Sequence, residues 1–499
     1  MNKTFESVGG ARPPRSVFDL SYTHLTTGDM GLLYPVMVRE CVPGDVMSVG
    51  LDLVIRFMPL TSPMLHKVDA YVHYFFVPYR LLWNDWESFI TGGADGTEAP
   101  TMPTMSGSPG GNGLMDYLGF PVGVNAVGVL PVQFPVNAYN LIYNEYYRDQ
   151  TSIAERTLTT STIARRAWAK DYFTSALPWQ QRGTAPSLPI SGTIEVDGID
   201  RNVSMTAGGQ TDALKSTTTL GVSIDNYSAE GSYVRWDDPA LEVDLSSATT
   251  FDVADLRLAF QIQKFLERNA RAGARYTEFL QAHFNVAPRD DRLQRPEYFG
   301  GARMPIIVSE VLQTSETGTT PQGNLAGHGI TAGRTKIGKY RCQEFGLIMG
   351  ILSVMPDAIY EDGVDRQWIK ATRYDFYFPE FAHLSEQPVY NGEVWVTTGD
   401  ATANQGVFGY QERYAEMRSA KSIVTGGMRG SASPSFDGWH LSRQFSSLPT
   451  LGQTFLECTP RDDPAFAVPG EPQMVMHIGN RIVAARPMPR HSDPGLIDH

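Results

Sequence analysis

A mainly β fold, a sandwich or jelly roll of antiparallel strands with helices confined to long insertions, is what this sequence predicts. Three observations carry that expectation. Between Pro43 and Phe57, the residues Met47, Val49, Leu51, Leu53, Ile55 and Phe57 alternate with Ser48, Gly50, Asp52 and Arg56, the period of two of a strand with one buried face. From His66 to Val77 both alternating sets are apolar or aromatic, Val68, Val72, Tyr74 and Phe76 on one side and Tyr71, Phe75 and Val77 on the other. A strand of that kind is covered on both faces. After residue 303, short strand-like runs recur between Gly/Pro turns as far as Arg490, a spacing that fits packed antiparallel sheets better than a parallel sheet with crossover helices.

Taken in order, residues 1–18 are rich in Gly, Pro and Arg without periodicity. They read as an extended basic arm in which Lys3, Arg12 and Arg15 stand against Glu6 alone. A further strand is expected between Met30 and Glu40. Pro59 and Pro63 cannot donate ladder hydrogen bonds, so a turn separates the two strong strands. After Pro78, Leu82, Trp86, Phe89 and Ile90 recur at helical spacing and Gly92 with Gly93 ends the run, giving a short amphipathic helix. Residues 94–135 form a Gly/Pro-rich loop. Asn137 then offers an N-cap to a helix bearing Tyr139, Ile142, Tyr143, Tyr146 and Tyr147, a stripe better suited to core packing than to holding a ligand.

Residues 183–250 change character, with Thr, Ser, Gly and Asp dominant. Three basic residues face ten acidic ones there, so this segment carries −7 of the formal net charge of −13. A polar, turn-rich, acidic insertion between better patterned flanks reads as a surface excursion. The longest helix follows, starting near Asp252 or Asp255, with Leu258, Ile262, Phe265, Leu266, Tyr276, Leu280 and Phe284 along one side and a break at Gly273. Arg257, Arg268, Arg271 and Arg275 interleave with Glu267 and Glu278, the pattern of a solvated or subunit-facing surface. Residues 314–339 read as a loop. Residues 479–499 read as a basic C-terminal tail, and no acidic residue interrupts the run holding Arg481, Arg486 and Arg490.

The net charge argues against a protein that coats nucleic acid over its whole surface, so any such contact is local. Lys3, Arg12, Arg15, Arg481, Arg486 and Arg490 are the candidates, through counterion release rather than base reading. Ordinary solvated termini or subunit salt bridges are the alternative use. Trp179 with Arg182 and Trp439 with Arg443 offer either base stacking or packing. Cys41, Cys342 and Cys458 are odd in number and have no zinc or disulfide spacing, as expected of reduced buried thiols. No apolar run is long enough to span a bilayer and no signal-peptide core precedes the first strand, so a soluble protein without membrane insertion is expected.

No chemistry is nominated. GRTKIGKY, with Gly333, Gly338 and Lys339, has Tyr340 where a phosphate loop needs a magnesium-binding Ser or Thr. Gly327, Gly329 and Ala332 match a dinucleotide fingerprint only in part. His66 and His73 would lie on opposite faces of one strand, unsuited to a shared metal. The pairs Asp237–Asp238, Asp290–Asp291 and Asp462–Asp463 are adjacent, so they suit turns or calcium-binding loops rather than glycosidic cleavage. No catalytic, cofactor-binding or metal-ligating residue is therefore expected.

Eight blocks carry a resemblance. They are PGDVMSVGLDLVIRFMPLTSPMLHKVDAYVHYFFVPYRLLWNDWESFITGG, LRLAFQIQKFLERNARAGARYTEFLQAHF, RLQRPEYFGG, SEVLQTS, TPQGNLAGHG, TRYDFYFPEFAHLSEQPV, VFGYQERYAEMR and WHLSRQFSSLPTLGQTF. In that order they resemble the major capsid proteins of the Microviridae, small phages with circular single-stranded DNA, and most of all the gokushovirus-like branch. The resemblance implies an eight-stranded antiparallel jelly roll spanning residues 1–499, with long helix-containing insertions. It implies a structural protein, not an enzyme, that forms pentamers and a T=1 icosahedral shell around single-stranded DNA. Residues 183–250 become an outward protrusion that contributes to host attachment. The partners implied are other copies of itself, a DNA pilot protein, an internal scaffolding protein, a small DNA-binding protein and a bacterial surface receptor. The location implied is the virion, assembled in the host bacterial cytoplasm. A jelly-roll carbohydrate-binding protein or glycoside hydrolase is the competing class, and it predicts a cleft with facing carboxylates.

Overall fold

The computed structural model describes residues 14–105, 110–123, 130–186, 196–198, 204–207, 210–217, 221–224, 235–236, 241–243, 253–273, 275–318, 322–461 and 465–491. Contacts divide the chain into Gln181–Asn269 and the remainder. In the larger unit β1 (Ser16–Asp19), β2 (Tyr22–Gly28), β3 (Tyr34–Cys41), β4 (Val46–Phe57) and β5 (Val68–Pro78) come first. The smaller unit holds β6 (Val196–Gly198), β7 (Ser204–Ala207), β8 (Gln210–Thr217), β9 (Gly221–Ile224), β10 (Arg235–Trp236) and β11 (Leu241–Val243). The larger unit resumes with β12 (Glu297–Leu312), β13 (Leu325–Arg341), β14 (Gly346–Pro356), β15 (Glu386–Tyr390), β16 (Val407–Glu412) and β17 (Met474–Arg486).

Nine of these strands form one curled sheet in the order β1-β17-β4-β13-β12-β5-β14-β3, with β2 also on β17. Residues 474–480 of β17 pair β2 and residues 483–486 pair β1, so the two short strands share one position. Eight positions result. Within each run of the chain the strands alternate between the two halves of the sheet: β2 and β4 lie in one half and β3 and β5 in the other, and then β12 and β14 lie with β5 while β13 and β17 lie with β4. That interleaving with antiparallel pairing throughout is a jelly roll. The two halves meet at β12, which pairs β5 through residues 297–306 and β13 through residues 307–312.

The alternation in the sequence decides which side of each strand is core. Met47, Val49, Leu51, Leu53, Ile55 and Phe57 are all buried, against Met474, Met476, Ile478, Ile482 and Ala484 of β17 and Val68, Val72, Tyr74 and Phe76 of β5. The other face of β5 and β14 presents Phe75, Val77, Leu347, Met349 and Ile351 to a second core, closed by Phe134, Val136, Tyr139, Ile142, Tyr143 and Tyr147. β5 is thus covered on both faces, as its sequence requires. The short helix after Pro78 is present at Trp86–Thr91 and ends on Gly92 in the left-handed region.

Asn137 is not an N-cap. The helix Phe134–Ile142 starts three residues earlier with Pro at its first turn, and it runs on through Tyr143–Tyr147. Asn137, Asn140 and Asn144 are buried along it, and their amides donate to the carbonyls of Leu82, Leu158, Thr160 and Arg156. Buried amides of this kind are tolerated because they satisfy loop backbone that has no ladder partner.

Residues 314–339 are not one loop. From Leu325 they form β13, which pairs β4 and β12 in the middle of the sheet. Its glycines disguise it: a Cβ at Gly327 would meet the Ser62 carbonyl oxygen at 2.4 Å, and one at Gly329 would meet the Phe57 ring at 2.5 Å. Glycine is needed there for close approach, not for a turn. Both glycine motifs of the sequence therefore lie inside a strand. Between β14 and β17 the expected run of short strands is largely loop and single turns, with β15 and β16 the one paired set of strands among the described residues, around a small core of Phe173, Tyr360, Val389, Val394, Phe408 and Phe455. Residues 479–486 are not tail but the second half of β17, and Ser16–Asp19 of the N-terminal arm is an edge strand.

Described by itself, the smaller unit contains an antiparallel sheet in the order β10-β7-β8-β9 and a β11–β6 ladder. The helix Val253–Ala272 ends at Gly273 (φ +99°), and a second helix runs from Tyr276 to Phe284, which is the break expected at that glycine.

Candidate nucleic-acid interface

The outer face of β17, β4 and β13 follows directly from register. Residues that pair across these strands point the same way, so the row mates of Ser48, Gly50, Asp52 and Arg56 on β4 all face away from the core. Those mates are Lys339, Lys336, Arg334 and Ile330 on β13 and Val483, Arg481, Gly479 and Val475 on β17. Arg341 joins them one row beyond, opposite Val46. On these three strands six cations, Arg56, Arg334, Lys336, Lys339, Arg341 and Arg481, thereby share one face with one carboxylate, Asp52, while Asp19 of β1 flanks them beside Val483. The stretch from Arg334 to Arg341 covers roughly 20 Å at the rise of a strand, and all four of its cations are exposed.

Asp52 holds the centre. Its Oδ1 accepts from Arg481 Nε at 3.0 Å and lies 3.3 Å from Arg334 Nε, while Arg481 also donates to the Thr335 carbonyl at 3.0 Å. Gly50 provides the floor: a Cβ there would lie 2.9 Å from Arg481 Cζ. One carboxylate between two guanidiniums fixes their geometry and leaves the face positive.

The structure does not bring the described candidates, Arg15, Arg481, Arg486 and Arg490, together. Arg486 is five residues from Arg481 and so points to the opposite side of β17, where its Nε lies 3.2 Å from the fully buried Asp45 and it donates to the Glu40 carbonyl. Arg15 donates to the Gly44 carbonyl nearby. Arg490 follows the strand and is exposed, and Lys3 and Arg12 lie outside the described residues. Of the four described candidates, Arg481 alone is on the basic face. Arg56, Arg334, Lys336, Lys339 and Arg341 were missed because reading β13 as loop hid the alternation that aligns them.

The remaining sequence motifs resolve into packing. Arg443 stacks on Trp168, Tyr360, Phe445 and Phe455, between 4.1 and 5.4 Å from the ring centres, and is almost wholly buried. Asp290 pairs with Arg295 at 2.6 Å and Asp291 with Arg289 at 2.9 Å, as turn residues do, while the other two aspartate pairs lie outside the described residues. His66 and His73 make separate contacts, with the Asp357 carbonyl and the Tyr147 hydroxyl. No group of three potential metal ligands occurs among the described residues. Cys41, Cys342 and Cys458 are free and buried, and the Cys41 thiol, brought against Cys342 by the fold, is raised far above its ordinary pKa by that contact and by burial.

A cleft of about 690 Å³ opens beside β5, lined in part by His73, Tyr147, Asp149, Arg166, Trp168 and Glu278. Its two carboxylates are each held by a cation, Asp149 by Lys170 at 2.5 Å and Glu278 by Arg275 at 3.5 Å. They do not form the facing acid and base that glycoside cleavage needs.

The family model described as Capsid protein (F protein) matches residues 6–496. The chain is 34% identical to capsid protein VP1 of Chlamydia phage 1, over 99% of this chain and 98% of that protein. Capsid protein VP1 of Bdellovibrio phage phiMH2K is 33% identical over 99% and 98%, and that of Spiroplasma virus 4 is 30% identical over 99% and 97%.

Proposed function

This chain belongs to the capsid F protein family of the Microviridae and builds a viral shell as a structural protein rather than an enzyme, and from that premise we propose that the shell encloses a circular single-stranded DNA genome against the basic face of β17, β4 and β13. The observation that carries this is the concentration of six cations around Asp52 in a chain of net charge −13. Attraction of this kind is electrostatic and independent of sequence, as packaging any genome region requires. Arg490, exposed just after β17, adds to this attraction, and Lys3 and Arg12 are assigned the same role by their charge. Arg15 and Arg486 instead tie down the turn at residues 42–45.

The test is to replace Arg334, Lys336, Lys339 and Arg341 by Gln and measure DNA binding across salt concentrations. Each phosphate contact on a single strand contributes about 0.7 to the slope of log affinity against log salt, so the slope should fall by up to about 3. Shell yield should hold. An unchanged slope and unchanged DNA content in purified particles would overturn the reading.

Host attachment is assigned to residues 183–250, within the one jelly roll that spans residues 1–499. Two facts support it: Gln181–Asn269 forms a unit of its own, and the insertion carries more than half the net negative charge. Particles lacking residues 190–240 should assemble and fail to adsorb to the host; loss of assembly would contradict the assignment. Other copies in pentamers and an icosahedral shell, a DNA pilot protein, an internal scaffolding protein, a small DNA-binding protein and a bacterial surface receptor complete the set of partners. Assembly in the reducing host cytoplasm suits three unbridged cysteines. Among the described residues no helix is long and apolar enough to cross a membrane.

A further inference from the structure

Soluble surfaces rarely gather exposed aromatic rings, yet residues 368–384 gather six large apolar side chains. Trp368 is 76% exposed, and Tyr374, Phe376, Tyr377, Phe378 and Leu384 are each between 42% and 54% exposed. The rings are not loose. Tyr374 and Phe378 each meet Phe381 edge to face at about 6 Å, and Tyr377 meets Tyr414 at 5.0 Å. Lys370 and Arg373 lie over Phe376 and Tyr374 at 4.5 and 4.8 Å.

The backbone beneath them is pinned. The Asp375 carboxylate accepts from the amides of Ala371 and Thr372 and from the Thr372 hydroxyl. The Tyr414 hydroxyl bonds to Phe376 and Phe378, and Arg413 donates to the Tyr374 carbonyl. An ordered ridge of Trp, Tyr and Phe with flanking Arg has the composition of an interface hot spot, and a prefixed backbone lowers the entropy lost on docking. With six side chains about half exposed, the ridge offers on the order of 500 Å² of apolar surface, at the upper limit of what a monomer normally leaves uncovered.

We propose that this ridge is a subunit interface, covered in the shell by a second copy of this chain. Charge selects the occupant. Residues 364–384 carry Arg366, Lys370 and Arg373 against Asp365, Asp375 and Glu380, a neutral balance that gives a nucleic acid nothing to neutralise, unlike the basic sheet face. A chain that assembles with itself must cover large apolar patches in doing so, and standard interfaces take about 800 Å² from each partner. The ridge would supply more than half of one such patch. It makes a heterologous contact, since a shell needs different surfaces to meet around its axes.

Two measurements test it. In the first, the emission of Trp368 is taken as the difference between assembled particles of the unaltered chain and of Trp368→Phe. In assembled particles this signal should be blue-shifted and protected from acrylamide at least fivefold relative to the dissociated chain; equal quenching in both states would overturn the proposal. In the second, Trp368→Ala with Phe376→Ser should leave thermal unfolding of the isolated chain unchanged and lower the yield of sedimenting shells at least tenfold. Shells at full yield would overturn it. Loss of DNA from intact shells would overturn it too, by making the ridge a stacking platform for bases. Neither readout depends on where the genome binds, so failure here leaves the assignment of the basic face standing.

Discussion

The Arg366 guanidinium lies 2.8 Å from the Glu393 carboxylate, with side chains only 9% and 1% exposed. Glu393 also accepts from the Tyr390 amide and the Tyr172 hydroxyl, and Arg366 donates to the Pro388 carbonyl. Removing one partner leaves the other charged and buried, so Arg366→Met or Glu393→Leu alone should each lower stability by about 3–5 kcal/mol. The double substitution should cost less than the two single costs summed. Urea unfolding of the four proteins gives the coupling, and strict additivity would show that the pair contributes nothing as a pair.

His73 makes stability depend on pH. Its Nδ1 lies 2.8 Å from the Tyr147 hydroxyl, and burial, aided by the nearby Arg166 charge, pushes its pKa down to about 4 from an ordinary 6.5. Between those values the unfolded chain takes up a proton that the folded chain refuses. Stability is therefore highest above pH 6.5 and falls as the pH drops towards 4, by about 3 kcal/mol from this one group. His66, also lowered by burial, acts in the same direction. His73→Gln should flatten the fall by roughly half, and an unaltered pH profile would rule out the histidine as its source.

Tyr139 closes the second core through its hydroxyl, which donates to the Leu33 carbonyl at 2.8 Å and accepts from the Ala164 amide at 2.9 Å. Tyr139→Phe strands both backbone groups away from water. The expected loss is about 1–3 kcal/mol, read as a lower denaturation midpoint with an unchanged slope.

Gly327→Ala should cost about 1–3 kcal/mol, because the new methyl would meet the Ser62 carbonyl rather than a yielding side-chain tip. Moving the strand away would also break the mutual hydrogen bonds of Gly327 and Leu60. Gly318→Ala, with open space around it, should change stability by less than about 0.5 kcal/mol. Equal effects at both positions would mean that crowding is not what keeps residue 327 small.

What the sequence made legible was local. β4 and β5 could be drawn residue by residue because one face, or both, is paved with large apolar side chains, and the short helix after Pro78 announced itself by spacing and by Gly92. β13 was hidden because its inward positions at 327, 329 and 333 are glycines, each facing a bulky neighbour from elsewhere in the chain: Leu60, Phe57 and Met304. Nothing near them in sequence reports those neighbours. The basic face was illegible for the same reason. Arg56, Arg334 and Arg481 come from three distant segments, and only strand register places them around one carboxylate. Arg486 shows the converse, since closeness to Arg481 in sequence put it on the opposite face.

The position of β17 has a consequence for synthesis. It lies between β4 and the pair β1/β2, so the partners of residues 474–485 are residues 46–57, made more than four hundred residues earlier. A growing chain therefore carries β4 with its edge unfilled while more than four hundred further residues are made, an exposed template for wrong pairing. Only β17 can satisfy it. A ribosome that stops early yields a chain whose sheet cannot be completed, and the fold itself withholds truncated subunits from assembly.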